Sequence, residues 1–137
     1  MSSLNRPLAG PSMVFDLAAQ LAELRREEAY RRSGRAGRTL AKSGRFRLVL
    51  LAVGSGVQIG THQADSPMTL QVLEGGLHYR DEGGQYELKQ GDLLFFGPGN
   101  AEDIRSTGDS ALLLTISAVG DDFRPEESDA SAAGSGF

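Results

Sequence analysis

Residues 56–75 read GVQIGTHQADSPMTLQVLEG, and residues 91–106 read GDLLFFGPGNAEDIRS. From Met68 the apolar residues fall at every second position, Met68, Leu70 and Val72, with Thr69 and Gln71 between them. That period of two is the mark of a strand with one buried face. Gly75 and Gly91 bracket a hairpin pair and can take positive φ without a steric penalty. Gly97-Pro98-Gly99 makes a sharp corner that feeds the next strand. Working outward, the same period predicts strands near 38–41, 46–53, 57–62, 68–73, 76–80, 84–89, 92–96, 102–106 and 111–117. Glycine- or proline-containing breaks separate most of them, so the chain is read as all-β, a sandwich or barrel.

N-terminal to these strands the period changes. Leu17, Leu21 and Leu24, with Ala18, Ala22 and Ala29 beside them, form one apolar stripe on an amphipathic helix over about 16–32. Asp16 is its expected N-cap, with Phe15 as the staple residue before it, and Ser33-Gly34 is its expected stop. The expected organisation is a loose segment at 1–13, the N-terminal helix at 14–35, the barrel at 36–119 and an acidic tail at 120–137. The tail is rich in Ser, Ala and Gly and has too little apolar surface to offset its ordering entropy.

With 137 residues the chain holds one domain, and its 18 glycines fit many tight turns. The absence of cysteine excludes a disulfide scaffold, a thiolate metal site and a cysteine nucleophile. No apolar run approaches the length needed to span a bilayer, and Met1–Pro11 has no signal-peptide pattern, so a cytoplasmic protein without a membrane partner is expected. The net charge of −4 conceals a basic block at 23–47, where nine arginines and lysines face three glutamates. With no nucleic-acid-binding motif beside it, the block is read as a solvated face that partly neutralises an acidic barrel or its dimer partner, in preference to a nucleic-acid surface. No P-loop, dinucleotide fingerprint or nucleophile elbow is present.

The two stretches quoted above resemble the two motifs of the cupins. The first has the form G-x5-H-x-H-x3-4-E-x6-G, matched in spacing by Gly56, His62, Ala64, Met68 and Gly75. The second has the form G-x5-P-x-G-x2-H-x3-N, matched in spacing by Gly91, Gly97, Gly99, Glu102 and Ser106. The resemblance covers about 38–117 and is to single-domain, RmlC-like cupins, among them small bacterial ones of unassigned function. It implies a cupin-type double-stranded β-helix, a jelly-roll barrel, with the N-terminal amphipathic α-helix added.

A metal cupin would place its ligands at the positions held here by His62, Ala64, Met68 and Glu102. Ala64 cannot ligate, and the thioether of Met68 suits neither Fe(II), Mn(II) nor Ni(II). No cofactor is therefore expected, and if a divalent metal binds at all it does so weakly, on His62 and Glu102. Facing inward as in metal cupins, these two would form a dyad in which the carboxylate raises the imidazole pKa and sets its tautomer. Such a dyad can serve as general base or acid in metal-independent isomerase, cyclase or lyase chemistry, or can simply fill the vacated site. The alternatives are a dioxygenase-like enzyme on a weak two-ligand metal and a non-enzymatic sensor or interaction module. His78, the other histidine, is read as an exposed strand residue before a rescue ligand.

The expected partner is a small molecule, held in a pocket lined by Ala64, Met68, Leu70, Val72 and Ile104. Either Leu93 and Phe95 or Leu94 and Phe96 complete the lining; alternation does not choose. The interior can equally be a filled core. The resemblance implies a homodimer paired through edge strands, and the Leu- and Val-rich strand 46–53, taken as an open edge, needs a cover, whether a second copy or the N-terminal helix. Gln71, opposite in facing to Met68, either pairs across a dimer interface, the preferred reading, or lies on a wet face.

Overall fold

Period-two patterning takes over from the helical stripe at Arg35 in the computed structural model, which describes residues 11–59, 63–64, 67–97, 99–100 and 103–117. Among the described residues two helices come first, α1 (Leu17–Arg26) and α2 (Glu28–Ser33). The described strands that follow are β1 (Arg35–Ser43), β2 (Phe46–Val53), β3 (Gln63–Ala64), β4 (Met68–Glu74), β5 (Gly76–Asp81), β6 (Gly84–Lys89), β7 (Leu93–Phe96), β8 (Gly99–Asn100), β9 (Asp103–Ser106) and β10 (Ser110–Ser117). Every pairing is antiparallel. One sheet runs β1-β2-β10-β4-β7, another runs β6-β5-β9, and β3 pairs with β8. The result is the all-β jelly-roll arrangement with helices at its N-terminal side.

Strand alternation sorts the apolar residues into two cores on either side of the five-stranded sheet. Val49, Leu51 and Val53 of β2, Leu112 and Leu114 of β10, and Met68, Leu70 and Val72 of β4 face inward. They meet Leu77, Tyr79 and Ile104 from the three-stranded sheet, and this is the barrel interior. Leu50 and Ala52 of β2 and Ala111 of β10 face the other way, against Leu21 and Leu24 of α1. Phe15, Leu17 and Tyr30 pack onto this outer core.

The helix starts as expected: the Asp16 carboxylate accepts from the Ala19 backbone N–H at 3.1 Å. It ends as expected too, with Gly34 in the left-handed region and its N–H donating to the Tyr30 carbonyl. A Cβ on Gly34 would also come within 2.9 Å of Val57, so this stop is both a conformational and a packing requirement. Between the ends the structure departs from the single helix expected over 16–32, because Glu27 is extended (ψ 149°) and divides it in two. Arg38 of β1 ties α1 and the break itself to the sheet, donating to Gln20 at 2.5 Å, Glu23 at 2.7 Å and Glu27 at 2.9 Å. Part of the basic block is thus neutralised from within the block.

Strand β2 is not the open edge expected for 46–53. It is paired on both sides, with β1 and with β10, and α1 packs over it. Among the described residues the edges of this sheet are β1 and β7. The strand expected at 57–62 is represented by a bridge of Gln58 to Arg105 and by the Ile59 N–H bond to the Ile104 carbonyl at 2.8 Å. Residues 60–62 of that strand, the Pro98 corner, residues 1–10 of the loose segment, residues 118–119 of the expected barrel and the tail at 120–137 lie outside the described residues.

Gly75 and Gly91 have φ of 80° and 94°, the positive values expected of them. The Gly91 N–H donates to the Val72 carbonyl and the Val72 N–H to the Asp92 carbonyl, which ties the β6–β7 turn to the centre of β4. The Asp92 carboxylate accepts from the Lys89 N–H at 2.8 Å, and that bond foremost holds its pKa below the usual value.

Candidate functional site

Of the residues expected to form the pocket, Met68, Leu70, Val72 and Ile104 are buried together on the inner face, Met68 at 3% exposure. Ala64 lies in β3, its backbone paired with Gly99. His62 and Glu102 lie outside the described residues. On β7 the structure makes the choice that alternation left open. Leu94 joins the interior, while Leu93 and Phe95 point out and are 63% and 66% exposed. Gln71 faces outward between Leu113 and Leu93.

Met68 belongs to the last row of side chains at one end of the sheet. It is directly opposite Phe96 on β7 and Ile116 on β10; Ile116 is opposite Arg47 on β2, and Arg47 is opposite Lys42 on β1. Directly opposed residues share a face, so the side chains described in this row are mixed: two cations, an isoleucine and a methionine. Arg47 corrects the expectation that the whole basic block is a solvated face. It is 3% exposed, and it follows the inward phase of Val49, Leu51 and Val53. Its Nη2 lies 3.4 Å from the Thr39 hydroxyl, and it has further interactions in the protein. The signal was present in the sequence: position 47 is in phase with the inward residues of its own strand. Counting charge across a window that spans a helix and two strands concealed it.

A second arginine is turned toward the interior at the other end of β1. Arg35 donates to the Gln58 carbonyl at 3.1 Å. Burial pulls its pKa below the ordinary value. Ser106, at the position of the motif's asparagine, is also buried and has a structural task. Its Oγ accepts from the Val57 N–H at 2.9 Å and donates to the Gly54 carbonyl, bridging both ends of the Gly54–Val57 turn.

His78 does not face the barrel interior. Leu77 and Tyr79 beside it do, so His78 projects from the outer surface of the three-stranded sheet. There Nδ1 contacts the Glu87 carboxylate, and Nε2 is 3.8 Å from Asp103, whose carboxylate is bound by Arg105 at 2.6 Å and Gln58 at 3.2 Å. This is a polar ladder across three strands and the adjoining segment, and it removes His78 as a ligand for the interior. Among the described residues no group of three His, Asp or Glu side chains is arranged to hold a metal ion. No helix among them is long and apolar enough to cross a membrane.

No known family profile matches the sequence, and no curated protein is similar enough to it in sequence to match. The fold does have solved counterparts. An RmlC-like cupin from Shewanella frigidimarina superposes with a TM-score of 0.58 at 22% identity, covering 67% of this chain and 83% of that one. A cupin superfamily protein from Desulfitobacterium hafniense gives 0.59 at 16% identity over 62% and 78% of the two chains. A conserved protein of unknown function from Streptococcus pyogenes gives 0.65 at 16% identity over 82% and 93%. At such identities the likeness is one of fold.

Proposed function

We propose that this cupin-fold barrel binds a small molecule at the end marked by Met68, without a tightly held metal. The observation that carries the reading is the environment of Met68. Where the motif has a carboxylate ligand, the structure has a thioether packed in an apolar core with Leu70, Leu94 and Leu114, with Ile116 opposite it. With Ala64 at a second ligand position, the donor set does not fit a hard or borderline divalent ion, which would be left with His62 and Glu102 alone. A mostly apolar wall with a few polar groups is the usual make-up of a small-molecule site. In this reading His62 and Glu102 supply the acid–base pair, one moving a proton and the other orienting it, for isomerase-, cyclase- or lyase-type chemistry.

The test combines metal analysis with ligand screening. After reconstitution with Fe(II), Mn(II), Ni(II) and Zn(II), elemental analysis is expected to find far less than one ion per chain. Small-molecule screening by ligand-observed NMR is expected to give hits that His62→Ala loses. Stoichiometric metal that disappears in His62→Ala and Glu102→Ala would replace this reading with the metal-dependent one.

The same reading makes the protein a cytoplasmic homodimer. Leu93 and Phe95 on edge strand β7 belong to neither core and are exposed next to Gln71. A second copy can pair antiparallel with β7 about a twofold axis and cover both side chains, which answers the liability of an apolar edge.

A further inference from the structure

Ser106 closes β9 and donates to the carbonyl of Gly54, which follows β2, so β2 and β9 finish side by side. Both therefore begin at the end where Met68 stands in the terminal row. Strand β5 runs antiparallel to β9 and finishes at that same end, with Asp81. The inner face of the three-stranded sheet thus brings a group of its own to the candidate site. Ile104 is directly opposite Tyr79, and Tyr79 is directly opposite Tyr86 on edge strand β6. Tyr79 is 2% exposed, and the Tyr86 ring stacks beside it with centroids 6.2 Å apart and planes 21° from parallel. Both phenols lean toward the β5–β6 turn. The Tyr79 hydroxyl donates to Asp81 at 2.8 Å. The Tyr86 hydroxyl lies 3.8 Å from where a Cβ on Gly84 would stand, and Gly84 is directly opposite Asp81. Tyr86 itself is 48% exposed, and its hydroxyl has no hydrogen-bond partner among the described residues.

From this placement we propose that Tyr86 and Asp81 recognise the ligand at this end of the barrel, and that the ligand is a small organic ammonium ion. The inference rests on the small-molecule reading given above and names its ligand class. It needs no opening into the packed interior, because Tyr86 is at the surface and Asp81 is half-buried. The chemistry of the group selects a cation. An aromatic ring face attracts positive charge. The Asp81 carboxylate accepts from the Tyr79 hydroxyl on one oxygen and from the Gly83 N–H on the other, and each oxygen keeps a second acceptor site. The donor left over in the group is the Tyr86 hydroxyl, so an anion would meet a carboxylate and little to hold it. Arg47 and Lys42 are on the opposite flank, since they belong to β2 and β1 whereas β6 approaches β4. Tyr79, fixed by its bond to Asp81, is the positioning residue that backs the exposed ring.

The experiment uses the full chain and matched probes: butylamine, benzylamine and phenethylamine, all protonated at neutral pH, and the corresponding alcohols, titrated by calorimetry and by NMR. Wild type is expected to bind the best ammonium ion about tenfold or more tightly than its alcohol, the range of a cation–π contact joined to a charge-assisted hydrogen bond. Tyr86→Ala, a change on an exposed edge strand, is expected to weaken ammonium binding about three- to tenfold, and Tyr86→Phe, which keeps the ring, to retain it. Asp81→Asn is expected to bring the ammonium-to-alcohol ratio close to one, and the Tyr86 variants decide the matter if it does not fold. Equal binding of amine and alcohol by wild type, or an unchanged ammonium affinity in Tyr86→Ala, overturns the inference. If neither class binds while the ligand screen returns hits that His62→Ala loses, the inference falls and the pocket reading stands. If no small molecule binds at all, both fall. A merely structural Tyr86 would alter stability in its variants and leave the ammonium-to-alcohol ratio untouched.

Discussion

Replacing Gly75 with alanine tests the packing of the turn between β4 and β5 against an internal control. Gly75 and Gly44 both have left-handed backbones, with φ of 80° and 58°. An alanine pays about 1–2 kcal/mol for that conformation at either site. The surroundings differ. Around Gly44 a Cβ would meet nothing within 4 Å. At Gly75 it would lie 2.8 Å from the Cα of Ser110 and closer still to the Asp109 carbonyl oxygen and the Ser110 hydroxyl. Backbone cannot swing aside as a flexible side chain can, so Gly75→Ala adds an overpacking term of about 1–3 kcal/mol. The expected losses are about 1–2 kcal/mol for Gly44→Ala and about 2–5 kcal/mol for Gly75→Ala. Urea unfolding of the two variants and wild type, compared at a common m-value, reads the difference directly. If Gly75→Ala loses no more than Gly44→Ala, to within about 0.5 kcal/mol, the close approach of the two turns is wrong.

Ser106→Ala leaves the Val57 N–H and the Gly54 carbonyl without the hydroxyl that joins them, so a loss of about 1–3 kcal/mol is expected in the same assay. A hydrogen bond from Arg38 holds the Glu23 pKa below its ordinary 4.5. The stabilisation is therefore complete above 4.5 and fades as pH falls through the lowered value. Thermal melts at descending pH should show the gap between wild type and Arg38→Met narrowing in that acid range, and a constant gap would contradict the pairing. Phe95→Glu places a charge on the uncovered edge of β7. Light scattering should show the mass falling from two chains to one without loss of the fold, whereas an unchanged dimer would move the interface elsewhere.

Much of the barrel was legible because its strands keep strict alternation between definite breaks. Leu70 and Val72 against Gln71, and the glycines at 75 and 91, gave strands and turns that the structure reproduces to within a few residues. What alternation does not carry is which strands become neighbours. Strand 46–53 looked like an edge because nothing local reveals that β10, more than fifty residues later, pairs along its whole length. The division of the helix at Glu27 was likewise hidden, since neither proline nor glycine marks it and the arginine that binds Glu27 at the break comes from β1. The facing of His78 follows from Leu77 and Tyr79 on either side of it, which take the inner face and leave the histidine outward. Arg47 was misread for the opposite reason, as its phase was available and its charge was counted instead.

The double pairing of β2 has a bearing on synthesis. From Arg47 to Val53 this strand is buried or half-buried on both faces, and one of its two hydrogen-bonding partners is the last strand described. A ribosome adding about 5–20 residues per second leaves roughly 3–12 seconds between the emergence of β2 and that of β10. Through that interval the nascent chain displays Leu48–Val53 with an unpaired edge and no barrel interior to receive it. Early docking of α1 on Leu50 and Ala52 shields one side, and the N-terminal position of the helix ensures that it is already made when β2 appears. The helix thus acts in time as well as in space, as a built-in guard for a half-finished sheet.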